Sequence, residues 1–295
     1  MSALLKTHIK PLEKYFKRPD VVEICINRPG SIWIETMDGW EEKKDPELTL
    51  RALNNFAGVL ATTNNQVFDD FTPLLATSLP GYGYRVQVVG GALAQGGFSM
   101  SIRIAQASRF NLDDYMGGKE ARLLESAIKT GKTVLVAGGT SSGKTTLLNS
   151  MIRMIPDHTR LFVIEDTAEL VIDQPNCVRL LKSKTGTDIA KITYKDIINS
   201  AMRMRPDRIL MGELDIENTV PFLRLLNAGH GGSMATVHAD SPAKAIDAIV
   251  LNAQLSGLEG GPDLIREYTK RVIDVVVHIE RRDRRTFAAV AEYME

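Results

Sequence analysis

Eight consecutive residues, Gly138-Gly139-Thr140-Ser141-Ser142-Gly143-Lys144-Thr145, fill every fixed position of the phosphate-binding loop pattern GxxxxGK[ST] and leave the chain few folds to adopt. The glycines let backbone N–H groups close around phosphates, Lys144 supplies a mobile cation, and Thr145 offers a hydroxyl to magnesium. Such a loop works between a strand and a helix, and both flanks fit. Thr133-Val134-Leu135-Val136-Ala137 is a short apolar run suited to a buried parallel strand, and Leu147, Leu148, Met151, Ile152 and Ile155 have the spacing of an amphipathic helix starting at Thr146. That helix would direct the positive end of its dipole at the phosphates. The sequence therefore predicts a nucleoside triphosphate held by residues 138–146.

The 295 residues suffice for two domains, and 44% hydrophobic with 24% charged residues is ordinary for a globular chain. No apolar run approaches the roughly 20 residues of a membrane span, and the N-terminus lacks a signal-peptide core, so a cytoplasmic protein is expected. Lys+Arg and Asp+Glu balance at 36 each, which leaves no global field for gripping nucleic acid. The densest basic run, Arg281-Arg282-Asp283-Arg284-Arg285, reads as a solvated hairpin turn between an apolar run ending at Ile279 and a strand over 286–290. Cys25 and Cys177 stand apart without a CxxC partner, which indicates neither a zinc site nor a disulfide framework.

Along the chain, residues up to about 108 favour short strands and turns: Val21 to Ile26, Ser31 to Thr36, and a hairpin of Tyr84 to Val89 and Phe98 to Ile104. The first 18 residues form a further helix candidate, with Leu5, Ile9, Leu12 and Phe16 on one face and a kink or late start at Pro11. After a linker, a helix is expected from Glu120 to Thr130, and then strands alternate with helices. Val134 to Ala137, Leu161 to Ile164, Ile209 to Met211 and Met234 to Val237 are the strands, and Tyr194 to Arg205 and Thr219 to Asn227 are helices. The expected class is α/β: an N-terminal α+β domain (antiparallel sheet with helices) over 1–108, a linker over 109–119, and a RecA-like P-loop nucleotide-binding domain over 120–295.

Hydrolysis needs acids at the carboxyl ends of the core strands, and two strand ends supply them. Leu161-Phe162-Val163-Ile164 runs into Glu165-Asp166-Thr167-Ala168-Glu169, and Ile209-Leu210-Met211 runs into Gly212-Glu213. Glu213 is the residue expected to activate water. The usual magnesium-associated aspartate would stand at position 212, which is glycine, so Glu165 or Asp166 is assigned that task with Thr145, directly or through water. His230 and His238, in the glycine-rich run from Gly229 to Ala239, are candidates to reach the terminal phosphate.

Taken together these elements resemble one family, the hexameric traffic ATPases of bacterial type IV secretion and conjugation machines, relatives of the type II secretion and type IV pilus motors. Val22-Glu23-Ile24, Ile26-Asn27-Arg28-Pro29-Gly30 and Ile32-Trp33-Ile34-Glu35 look like its N-terminal signature, and Arg85-Val86-Gln87-Val88-Val89 and Ser101-Ile102-Arg103 like its arginine-bearing strands. The loop at Gly138 is similar to its Walker A motif, and Ile164-Glu165-Asp166-Thr167 with Glu169 to its Asp box. Met204-Arg205-Pro206-Asp207-Arg208 through Glu213 matches its Walker B region, and Gly229 to Ala239 its His box. The resemblance implies that Arg85 and Arg103 reach the nucleotide's phosphates, that His238 binds nucleotide, and that Glu213, Glu165 and Lys144 are catalytic. It further implies ATP as substrate with Mg2+, a homo-oligomeric ring, most simply a hexamer, and inner-membrane secretion components as partners at the cytoplasmic face. No direct sequence-specific nucleic-acid binding is expected. The chain departs from the family at Asp215, where arginine is common, and at Gly90-Gly91, where prolines are common. The absence of a four-cysteine module argues against the type II branch. A nucleotide-responsive assembly scaffold with negligible turnover, and a pilus assembly or retraction motor, are the alternative readings.

Overall fold

The chain divides into two units, each built around its own sheet. The computed structural model describes residues 2–36, 38–104, 110–183, 186–281 and 287–294. The first unit takes residues 1–107 together with Asp166–Glu169 and Leu181–Lys191, and the second takes the remainder.

The first unit opens with helix α1 (Ala3–Phe16), started by Ser2, whose side chain accepts the Leu5 N–H. Pro11 lies inside it rather than delaying it. Leu5, Ile9, Leu12, Tyr15 and Phe16 all bury on one side, and that packing outweighs the hydrogen bond Pro11 cannot donate. Strands β1 (Val21–Ile26), β2 (Ser31–Thr36) and β3 (Gly39–Lys44) follow, then helix α2 (Leu50–Thr63) and strands β4 (Leu74–Leu79), β5 (Tyr84–Gly90) and β6 (Phe98–Arg103). The sheet order is β3-β2-β1-β6-β5-β4, with every neighbouring pair antiparallel. One face, with Ile24, Ile26, Ile32, Ile34, Val86, Val88, Met100 and Ile102, shares a core with α1 and α2. The other face carries a cross-strand row in register, Glu35–Glu23–Arg103–Arg85.

Helix α2 supplies a second helix to the α+β domain expected over 1–108, in a stretch where no strand or helix is placed from the sequence. Its signals are local: Thr49 caps it by accepting the Ala52 N–H, and Leu53, Phe56, Ala57, Leu60 and Ala61 repeat at helical spacing. The hairpin at Gly90-Gly91 is also pinned, because Gly90 donates to Pro73 O and a Cβ there would stand 2.6 Å from the Phe68 ring. The segment 181–191 is held in this unit by Gln66, whose buried amide donates to Ala76 O and Thr187 Oγ1, and by backbone bonds from Val67 to Thr187 and from Ile189 to Asn65.

The second unit contains α3 (Gly118–Lys129), β7 (Val134–Gly138), α4 (Lys144–Ile152), β8 (Leu161–Glu165), β9 (Cys177–Leu181), α5 (Tyr194–Arg203), β10 (Arg208–Met211), α6 (Thr219–Asn227), β11 (Met234–His238), α7 (Pro242–Leu255), α8 (Pro262–Val272), β12 (Val275–Arg281) and β13 (Phe287–Tyr293). Its strand order is β13-β12-β7-β11-β10-β8-β9. Strands β12, β7, β11, β10 and β8 are mutually parallel, and β13 returns antiparallel to β12. Alternate residues of the central strands enter opposite cores: Val134, Val136, Leu161 and Val163 pack with α3 and α4, and Leu135, Ala137, Phe162 and Ile164 with α5, α6 and α7. A sheet buried on both faces explains the uninterrupted apolar runs, and its parallel strands bring Gly138, Glu165, Glu213 and His238 to their carboxyl ends. The turn expected at 282–286 lies outside the described residues.

One polar cluster fastens α1 to the loop after β3. Asp45, 3% exposed, accepts from Tyr15 Oη at 2.7 Å and pairs with Lys14 Nζ at 2.8 Å, and its other oxygen accepts the Glu47 N–H. Burial pushes the Asp45 carboxyl up, but hydrogen bonds from Lys14, Tyr15 and Glu47 outweigh it and hold the carboxyl below its ordinary value. Burial, then the bond to Asp45, pushes Tyr15 up to about 12. A carboxyl depressed in the folded state stabilises above its unfolded pKa, and the contribution fades as pH falls through the folded value. We expect Asp45→Ala to cost roughly 1–3 kcal/mol at neutral pH, because Tyr15 loses its acceptor, and the gap from wild type to narrow on acidification. Thermal unfolding of both proteins at several pH values checks this.

Candidate nucleotide site

The loop between β7 and α4 has a backbone that only some residues tolerate. A Cβ on Gly138 would stand 2.4 Å from Ser142 Oγ and 2.7 Å from Ile279 O, so glycine is required. Gly143 caps α4 with φ +93°, and a Cβ there would press on the Phe287 ring at 3.1 Å. Ser141 also adopts a positive φ, 58°, whereas Gly139 has open space where a Cβ would be. Positive φ at Ser141 and Gly143 curls the loop at the N-terminus of α4, the setting in which backbone N–H groups bind anions. Thr140 is exposed at the loop tip, Ser142 Oγ is buried with no partner among the described residues, and Thr145 and Thr146 occupy the first turn of α4, half-buried.

Lys144, 8% exposed, donates from Nζ to Gly138 O at 3.0 Å, to Gly139 O at 2.8 Å and to His238 Nδ1 at 3.2 Å. The other ring nitrogen of His238 meets Glu213 Oε1 at 2.5 Å. An ammonium facing Nδ1 requires a lone pair there, so Nε2 carries the proton and donates to Glu213. His238 reaches this position because it pairs with Gly138 in the β11–β7 ladder. Glu213 is fixed by its neighbours: Leu214 N–H donates to Thr236 O, Thr236 Oγ1 donates to Gly212 O, and Asn218 donates to Glu213 O.

Glu165 ends β8 and is 2% exposed. Its Oε1 accepts the Leu170 N–H at 2.7 Å, and its Oε2 accepts from Arg179 at 2.9 Å. The glycine at 212 makes room for it, since a Cβ there would lie 3.3 Å from Glu165 Cγ. Asp215 serves the start of α6 by accepting the N–H groups of Glu217 and Asn218. His230 precedes β11, at the opposite end of the strand from His238, and its ring contacts Pro206 O. The structure thus does not bring the two histidines together.

Within the first unit, Arg85 pairs with Asp166 at 3.2 Å and with Glu169 at 3.8 Å, and Asp166 also accepts the Thr167 N–H. Arg103 lies opposite Arg85 in the β5–β6 ladder and opposite Glu23 in the β1–β6 ladder. Two cations in register repel unless acids flank them, and acids flank both. Sequence reasoning missed Arg179 and Asn218. Arg179 alternates with Val178 and Leu180, but nothing in that pattern names a partner 14 residues away in the chain.

Among the described residues no cluster of three or more His, Cys, Asp or Glu side chains forms a metal cage. The hydroxyl of Thr145 and the carboxylates of Glu165 and Asp166 are hard oxygen donors of the kind magnesium accepts.

A phosphate loop at the head of a parallel sheet, with acids and a histidine at the neighbouring strand ends, defines a P-loop ATPase of RecA-like architecture. The chain belongs to the family described as Type II/IV secretion system protein, whose model matches residues 82–256. It is similar to the type IV secretion system protein VirB11 of Bartonella quintana (strain Toulouse), with 33% identity covering 95% of this chain and 90% of that protein. It is also similar to the type IV secretion system protein PtlH of Bordetella pertussis (strain Tohama I), with 35% identity covering 93% and 90%. Among solved structures, it resembles the VirB11 ATPase of the Brucella suis type IV secretion system in complex with sulphate, with TM-score 0.55, 29% identity, and coverage of 99% and 94%.

The loop geometry separates two adjacent glycines. We expect Gly138→Ala to weaken nucleotide binding at least tenfold and Gly139→Ala to leave it within about threefold, because only the first Cβ meets backbone and Ser142. Titration with a fluorescent ATP analogue distinguishes them.

Proposed function

We propose that this chain is the Mg-dependent, ATP-hydrolysing motor of a type IV secretion or conjugation apparatus, working as a homo-oligomeric ring, most simply a hexamer. The observation that carries this reading is the hydrogen-bonded line Lys144–His238–Glu213, which sets a phosphate-binding cation, a histidine and a carboxylate side by side at the carboxyl ends of the central strands. In this reading the N–H groups of residues 138–146 and Lys144 hold the phosphates, and Glu213 orients and deprotonates the attacking water. His238 holds Glu213 until the terminal phosphate arrives. Thr145, Glu165 and Asp166 are the residues that would hold magnesium, directly or through water. The ion supplies charge neutralisation on the phosphate oxygens. Arg85 and Arg103 are assigned to the terminal phosphate, where guanidinium groups stabilise charge and lose their partner after hydrolysis, a change that drives domain motion.

The type IV secretion reading is preferred over a pilus motor because VirB11 of Bartonella quintana and PtlH of Bordetella pertussis, both above 30% identity, are type IV secretion system proteins. Among the described residues no helix is long and apolar enough to cross a membrane. A peripheral position at the cytoplasmic face of the inner membrane, in contact with membrane-embedded secretion components, accords with that. The two units act as an N-terminal domain and an ATPase domain.

Turnover of the purified protein with ATP and magnesium tests the assignment. Lys144→Ala should abolish binding and hydrolysis. Glu213→Gln should retain binding and lose at least about a hundredfold in kcat, the usual scale of a lost general base. Wild-type binding without turnover would show a scaffold instead. Native mass measurement with and without nucleotide should give a six-copy particle, and a persistent monomer would contradict the ring.

A further inference from the structure

Glu165 is an almost fully buried carboxylate, and it stands at the carboxyl end of β8. A buried charge needs compensating partners, or it is expensive to keep. It has a backbone N–H from Leu170 and, as its cation, the guanidinium of Arg179 at 2.9 Å. Arg179 comes from β9, the strand at the end of the sheet order, and its side chain is partly exposed, so it reaches inward to a carboxylate on the adjacent strand. Gly212 packs close behind that carboxylate, since a Cβ there would lie 3.3 Å from Glu165 Cγ.

We propose that Arg179 is a positioning residue for ATP hydrolysis, holding the Glu165 carboxylate charged and fixed at the carboxyl end of β8. The inference rests on the assignment of Glu165 above and extends it to a residue outside the phosphate loop, the strand-end acids and the histidine segment. Partners that orient a metal-associated carboxylate commonly change activity by about 10–100-fold when removed. An arginine whose role were confined to the sheet edge would change stability and leave kcat alone.

The test uses the full chain in two measurements. In EDTA without nucleotide, thermal unfolding of Arg179→Gln, Glu165→Gln and the double variant forms a cycle. Arg179→Gln should lower the Tm, and adding Glu165→Gln should recover part of the loss, because the stranded charge is gone. In steady-state hydrolysis, Arg179→Gln should lose about tenfold in kcat with KM for ATP within about twofold, and Arg179→Lys should restore most of it. The double variant should be no slower than Glu165→Gln alone. Additive kinetic losses, a wild-type kcat for Arg179→Gln beside an impaired Glu165→Gln, or Tm losses that simply add would overturn the role of Arg179. Wild-type kcat for Glu165→Gln would instead overturn the assignment of Glu165 itself.

Discussion

An ammonium group buried at the first turn of a helix must find lone pairs, and Lys144 finds them at Gly138 O, Gly139 O and His238 Nδ1. Much of the second unit follows from satisfying that one group. The carbonyls are available because the loop doubles back between β7 and α4, which Gly138 and Gly143 alone permit sterically. The imidazole is available because β11 lies parallel to β7 and ends level with it. Parallel pairing in turn requires helices on both faces, and the two separate cores provide them.

The first unit meets a similar electrostatic constraint by different means. Its sheet spends one face on α1 and α2 and leaves the other polar, where Arg103 and Arg85 stand in register. Side by side on neighbouring strands they would repel, and Asp166, Glu169 and Glu23 flank them. Within the first unit, Arg85 contacts both acids of the segment Asp166–Glu169. On the proposed reading these guanidinium groups exchange protein carboxylates for phosphate oxygens, trading one anionic partner for another.

Much of the fold was legible because local signals and tertiary demands agreed. Val134 to Ala137 reads as a buried strand since both of its faces are apolar, and α6 begins and ends where Thr219 and Asn227 predict. The misreadings share a cause. Helix α2 carries its apolar residues at helical spacing but lies among strand-like neighbours, so composition over a long window hid a local period. Pro11 argues against an unbroken helix only until packing is counted. His230 and His238 share one glycine-rich run, and β11 sets His238 at its carboxyl end with His230 ahead of its start. Ion pairs such as Arg179–Glu165 leave no trace in periodicity, because charge alone does not name a partner.

Position 212 shows how a substitution and a neighbouring side chain settle each other. An acid there would need space that Glu165 already fills, and a Cβ alone would come within 3.3 Å of Glu165 Cγ. Glycine therefore does more than delete a carboxylate: it lets the acid from the next strand lie across β10 with its two oxygens held by Leu170 and Arg179. On the proposed reading, the negative charge at this corner of the site is relocated rather than lost, from the strand end that carries Glu213 to the strand beside it. The two acids then stand on adjacent parallel strands, β10 and β8, in a ladder whose register pairs Met211 with Ile164. The residues following that pair are Gly212 and Glu165, so the glycine and the acid it accommodates are level by register as well as by contact. A side chain at 212 larger than hydrogen would press on Glu165 Cγ, the same side chain that Arg179 holds from the neighbouring strand.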